Sequence, residues 1–176
     1  MKQILFLFMV LLSFNSCKKD DLNELFTMRY ELTFTLPAGA NTIETHKFRF
    51  PQVENKLNTL IENTGIDRSR INKIEPGLAE FLPVFGDFNI GTLREVTINM
   101  FDLDDSAILQ EIEFNDQIPL RDNMESLKLV GSLGDITPIV LEDSRFGIQV
   151  ELDLRQIPVR DYQCRVIFDI IAFEEF

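Results

Sequence analysis

The chain has no tryptophan and two tyrosines, against sixteen phenylalanines. A tryptophan platform for stacking on sugar rings is therefore excluded, and so much phenylalanine points to an aromatic core. A single histidine, His46, rules out a histidine-rich metal site or a histidine pair. Positive charge is scarce: 17 Lys and Arg stand against 29 Asp and Glu, for a formal net charge of −12. Nucleic acid is not expected as a partner, because its phosphates demand clustered Lys and Arg. The longest apolar run, Ile4 to Leu12, falls well short of the roughly 20 residues that cross a bilayer as a helix. A nucleophile elbow, a phosphate-binding glycine loop, a dinucleotide fingerprint and a zinc spacing are all missing, so no linear motif nominates an enzyme. Hydrophobic content of 45% nevertheless supports a folded domain.

What is present begins at the N-terminus. Met1-Lys2-Gln3 is a short basic start, Ile4 to Leu12 is apolar throughout, and Ser13-Phe14-Asn15-Ser16 leads into Cys17. Charge, apolar segment and small residue, in that order, form the pattern of an export signal. With a cysteine directly after Ser16, the segment resembles a bacterial lipoprotein signal. Ser16 and Cys17 fit that motif, while Phe14 and Asn15 depart from its commonest form. The resemblance implies removal of residues 1–16 and lipidation of Cys17. Next, Lys18-Lys19-Asp20-Asp21 resembles the tag of one lysine and two acids behind the lipidated cysteine of Bacteroidota lipoproteins sent to the cell surface. That resemblance implies Lys19, Asp20 and Asp21 as an export tag, and an outer-membrane lipoprotein exposed at the cell surface or facing the periplasm. Acyl chains contribute about 0.8 kcal/mol per buried methylene, so several of them hold a protein to a membrane without a spanning helix.

The expected division is a signal over 1–16, a lipidated cysteine and polar tether over 17–25, and one domain over 26–176. A lipid on Cys17 leaves no second cysteine to bridge with Cys164. Cys164 shares an alternating face with Tyr162, Val166, Phe168, Ile170 and Ala172, and reads as a small buried hydrophobe.

Most of that domain alternates with a period of two. Phe26, Met28, Tyr30, Leu32, Phe34 and Leu36 share one face of a strand; Thr27, Arg29, Glu31, Thr33 and Thr35 share the other. Pro37 to Asn41 makes a turn, and 43–50 reads as the returning arm of a hairpin. Further strands are expected over 70–74, 94–101, 108–114, 127–130, 145–155 and 162–173, while 78–84 reads as either another strand or a turn of helix. Val53, Leu57, Leu60 and Ile61 instead follow helical spacing, with Pro51 suited to a first turn and Gly65 to a C-cap, so one amphipathic helix is expected over 52–63. The fold class is mainly β: an antiparallel β-sandwich, immunoglobulin- or jelly-roll-like, with one short helix. An outer-membrane barrel would also alternate, but it calls for girdles of Trp and Tyr that this chain lacks.

Candidate sites are few. Asp102, Asp104, Ser106 and Glu113 occupy positions 1, 3, 5 and 12 of a calcium-loop register, the spacing at which oxygen ligands can wrap a hard cation. Ala107 stands where that loop uses glycine, and the flanks read as strands, so a solvated acidic hairpin is the competing reading and any Ca²⁺ would be structural. His46 reads as a strand histidine at a sheet margin, since no nucleophile is nominated beside it. Glu142-Asp143 and Glu174-Glu175 are adjacent carboxylates, which on a strand point to opposite faces and in a turn are hydrated, so neither reads as the pair facing across a cleft that a glycosidase needs. Loops 85–92, 102–107 and 115–124 are the candidate contact surfaces, with Phe88 as a candidate aromatic anchor that could equally tuck into the core. The functional expectation is a non-enzymatic, lipid-anchored binding or scaffolding module at the outer membrane. Its partner would be an envelope protein or an extracellular ligand, and no cofactor is expected. The alternatives are a small hydrolase with a non-linear active site, or a calcium-stabilised glycan-binding accessory protein.

Overall fold

The computed structural model describes residues 22–85, 88–121 and 124–175. Cys17, Lys19, Asp20 and Asp21 lie outside the described residues, as does the whole expected signal. Eight strands form the domain: β1 (Leu22–Leu36), β2 (His46–Glu54), β3 (Lys73–Pro83), β4 (Leu93–Phe101), β5 (Gln110–Asn115), β6 (Leu127–Gly131), β7 (Arg145–Leu154) and β8 (Tyr162–Glu175). Two short helices join them, α1 (Leu57–Thr64) and α2 (Thr137–Glu142).

All pairings are antiparallel, in the order β1-β8-β3-β6-β5-β4-β7-β2. The first four strands make one layer and the last four the other, with the β6–β5 seam where the sheet turns over on itself. Strand order 1-8-3-6 facing 2-7-4-5 is a jelly roll, the β-sandwich built from two Greek keys. The two ends of the sheet, β1 and β2, meet through aromatic rings: Phe34 stacks on Phe48 at 4.3 Å and reaches Phe50 at 6.5 Å. The core fills the space between the layers with the inward half of each alternating strand, including Tyr30, Phe81, Phe146, Ile148, Val150 and Phe168. Cys164 is among these buried side chains, as its alternation predicts.

Several local expectations change. The strands flanking Pro37 to Asn41 are not a hairpin: β1 pairs with β8 and β2 with β7, so the turn crosses from one layer to the other. Long pairing with a distant strand outweighs the two-strand ribbon that local sequence suggests, which would be marginal alone. The helix expected over 52–63 starts later, at Leu57, because Pro51, Gln52 and Val53 continue β2 through a register shift between Phe50 and Val53. A proline is tolerated there because β2 is an edge strand and the shift is a bulge. Gly65 does cap the helix, at φ 69° with its N–H donating to Ile61 O. Pro76-Gly77 does not end a strand either. It sits where the β3–β8 register shifts between Pro76 and Ala79, so the two expected pieces are one strand. Helix α2, with Pro138 in its first turn, is too short for its period to stand out in the sequence.

Candidate functional site

The strand directions sort the connections into two ends. At one lie the start of β1, the end of β8, α1, α2 and the 102–109 loop. At the other lie four loops: 37–45, 84–92, 116–126 and 155–161. Of the loops nominated from sequence, 85–92 and 115–124 therefore converge, while 102–107 is at the opposite end. The fifteen residues of β1 separate the ends by roughly 45 Å at about 3.3 Å per residue.

The four converging loops are tied to one another by backbone groups. Gly39 N donates to Pro158 O at 2.9 Å, and Ala38 N donates to Asp161 Oδ1 at 2.8 Å. Arg155 N donates to Thr92 O at 2.7 Å, and the Arg155 guanidinium also donates to the carbonyls of Gly91 and Leu93. Asn89 Oδ1 accepts from Gly91 N, tightening the 3₁₀ turn. At Gly91 a Cβ would fall 2.8 Å from Arg121 O, so only glycine lets the 116–126 loop come this close. A cleft of about 160 Å³ remains, lined by Asn89, Gly91, Leu120, Arg121 and Gln156.

On this scaffold stand five large apolar side chains turned to solvent: Ile43 (93% exposed), Phe85 (73%), Leu120 (80%), Ile157 (59%) and Val159 (86%). Scattered single residues of this kind are ordinary, and Leu103, Ile108, Leu109 and Leu133 are exposed at the opposite end, but here the exposed apolar residues come from four loops that share one end and are tied together, the setting in which an interaction surface forms. Glu44, Asp116, Arg121, Arg160 and Asp161 are charged residues of the same loops. The aromatic anchor proposed from sequence is corrected here. Phe88 is 5% exposed and packs beside Phe81 and Tyr162, at 6.4 and 5.0 Å between ring centroids. The core takes it, and Phe85 is the exposed ring of that loop. None of the five exposed residues was legible as a site. The signal available was apolar residues in segments without any period and beside proline, as in Pro119-Leu120 and Ile157-Pro158-Val159.

The calcium-register residues are not brought together. Asp102 Oδ1 accepts from Asp104 N at 2.7 Å, and Ser106 O accepts from Arg49, so both sit on the exposed loop. Glu113 pairs with Ile98 of β4, four residues before the loop begins, and is fully buried. Paired strands hold it roughly 13 Å along from Asp102. No group of three or more His, Cys, Asp or Glu able to hold a metal ion occurs among the described residues. Neither Glu113 carboxyl oxygen has a hydrogen-bond partner, and burial, followed by the nearby charge of Asp169, pushes its carboxyl up to about 8. His46 Nε2 donates to Asn41 O at 2.8 Å, which pins the 37–45 loop.

A second concavity lies on the outer face of β2, β7 and β4. It holds about 220 Å³ and is lined by Thr45, Glu95, Thr97, Glu151 and Asp153. Lys47 Nζ lies 3.7 Å from Glu151 beside it.

No protein-family model matches the chain, and no curated protein matches it. Among solved structures, the chain is similar to the P-domain of Macrobrachium rosenbergii nodavirus, at 10% identity over 83% of this chain and 93% of that one, with a TM-score of 0.30. It is similar to the Nora virus structure at 10% identity, covering 92% of this chain and 67% of that one, with a TM-score of 0.36. A carbohydrate-binding module of the β-sandwich superfamily is similar at 6% identity, covering 93% of this chain and 60% of that one, with a TM-score of 0.31. At TM-scores this low, none of these carries an argument about what this chain does.

Proposed function

We propose that this protein is a non-enzymatic binding module, anchored to the bacterial outer membrane through a lipid on Cys17, whose four-loop end docks a partner protein. The observation that carries the reading is the cluster Ile43, Phe85, Leu120, Ile157 and Val159, exposed at the end of the sandwich opposite the start of β1. A tether entering at Leu22 would leave this end pointing away from the membrane. The partner surface is apolar and carries a carboxylate to meet Arg121, which makes no side-chain hydrogen bond to a described residue. A second reading, a hydroxyl-rich ligand in the outer-face groove, is favoured by the carboxylates and hydroxyls that line it.

Site-specific photo-crosslinking in cells tests the first reading. Crosslinkers at the positions of Leu120 and Val159 should give one shared adduct, and a crosslinker at Thr33 on the outer face of β1 should give none. Equal labelling from all three sites would overturn it. Protease shaving of intact cells, comparing the native protein with Asp20→Ala/Asp21→Ala, tests the anchor and tag. Cleavage of the native protein alone is the expected result, and protection of both would sink the surface placement.

A further inference from the structure

We propose that Glu113 is a proton latch on the seam between the two sheets: protonated, it keeps β6 closed against β5, and its ionisation releases β6. The seam is thin. Strand β6 has five residues, and it joins the layers through two residue pairs with β5, Glu113↔Gly131 and Phe114↔Val130, and three with β3. The register between β4 and β5 shifts between Ile98 and Asn99, whose partners are Glu113 and Glu111. That bulge turns Ile112 and Glu113 inward together, and both are fully buried.

Strand β4 presents Ile98. Strand β6 presents Gly131, whose missing Cβ would lie 3.8 Å from Glu113 Oε1. The β3 bulge brings Gly77 O and Pro76 Cβ to the same distance from that point. Strand β8 contributes Asp169, 5% exposed, which accepts two hydrogen bonds from the Arg29 guanidinium of β1 at 2.8 and 2.9 Å. Among the described residues, Asp169 is the one charge that acts on Glu113, and it is of the same sign. The described residues therefore supply no hydrogen-bond partner to the Glu113 carboxyl and no charge of opposite sign that acts on it, while burial removes water from it.

In the closed seam the carboxyl titrates at about 8, whereas in an opened one it returns towards its ordinary 4.5. Proton linkage then sets the sign: between those values the opened form gains on the closed form by about tenfold per pH unit, and the gain levels off above about pH 8. Released β6 would carry with it the 116–126 loop that holds Leu120.

Amide hydrogen exchange of the full chain at pH 5.5, 6.5 and 7.5, corrected for the intrinsic pH dependence of exchange, tests the latch. Protection of Ile112 to Phe114 and of Leu129 to Gly131 should fall about tenfold per pH unit in the native protein and stay level in Glu113→Gln. Equal slopes in the two proteins would overturn the proposal. Should Glu113→Gln not fold, the ¹³C carboxyl titration of native Glu113 is compared with the protection of Leu129 to Gly131: a midpoint in the ordinary glutamate range overturns the latch, as does protection that does not fall as pH rises towards a raised midpoint, and loss of protection that tracks a raised midpoint upholds it.

Discussion

The ring of Phe101 fills the space that a side chain on Gly147 would need. A Cβ built at Gly147 would fall 2.0 Å from Phe101 Cε2, and the Arg49 guanidinium covers the same ring, 4.4 Å from its centroid. Thus one glycine on β7 lets an aromatic on the outer face of β4 lie buried, with an arginine from β2 above it. Gly147→Ala should expel the ring and cost about 1–3 kcal/mol by overpacking. Chemical denaturation checks it: a value indistinguishable from native would show that Phe101 relocates without cost.

Stability should fall as pH rises from about 4.5 towards 8. Glu113 stays protonated when folded and ionises when unfolded, so over that window the unfolded state binds fewer protons and is favoured. One pH unit is worth up to about 1.4 kcal/mol. Denaturation of native, Glu113→Gln and Glu113→Leu at pH 5 and pH 8 should show the native protein losing the most, with the variants nearly level. In Asp169→Asn, the Glu113 midpoint should drop, by less than burial raises it.

Tyr30 links β1 to the start of α1. Its hydroxyl accepts from Lys56 N at 3.2 Å, and its ring stacks on Phe168 at 5.3 Å and meets Phe146 edge-on at 5.5 Å. Burial pushes its phenol up to about 12, opposed by the Lys56 N–H, which favours the phenolate. Tyr30→Phe keeps the ring contacts and should cost about 1 kcal/mol. The phenolate absorbance step near pH 12 should vanish in that variant; an unchanged step would assign it elsewhere.

At the loop end, function and stability should separate. Phe85→Ser, Leu120→Ser and Val159→Ser each replace an exposed side chain and should change stability by less than about 0.5 kcal/mol. With the crosslinker moved to the position of Ile157, the triple variant should nonetheless lose the adduct that this crosslinker forms on otherwise native loops. Retained capture with an unchanged melting curve would move the binding surface elsewhere.

How far residues could be read depended on the range of the interaction that places them. Phe26 to Leu36 alternates so regularly that its strand and its buried face follow from side-chain period alone, and Gly65 is recognisable because a helix end needs a residue at positive φ. The expected pairing of that strand with 43–50 failed because pairing is a contest among distant segments, which β8 and β7 win. Phe88 and Phe85 illustrate the same limit within one loop. Their composition is identical, and only Phe81 and Tyr162, brought from other strands, decide which ring has a core to enter.

By itself, then, the sequence determined the β class, the strand faces, the helix stop at Gly65, and the low positive charge, because each rests on local period, backbone conformation or composition. Only the tertiary structure decided the jelly-roll order, the gathering of four loops at one end, and the burial of Glu113 at the β5–β6 seam within reach of the Asp169 charge. Those depend on contacts between residues far apart in the chain, whose geometry no local pattern encodes.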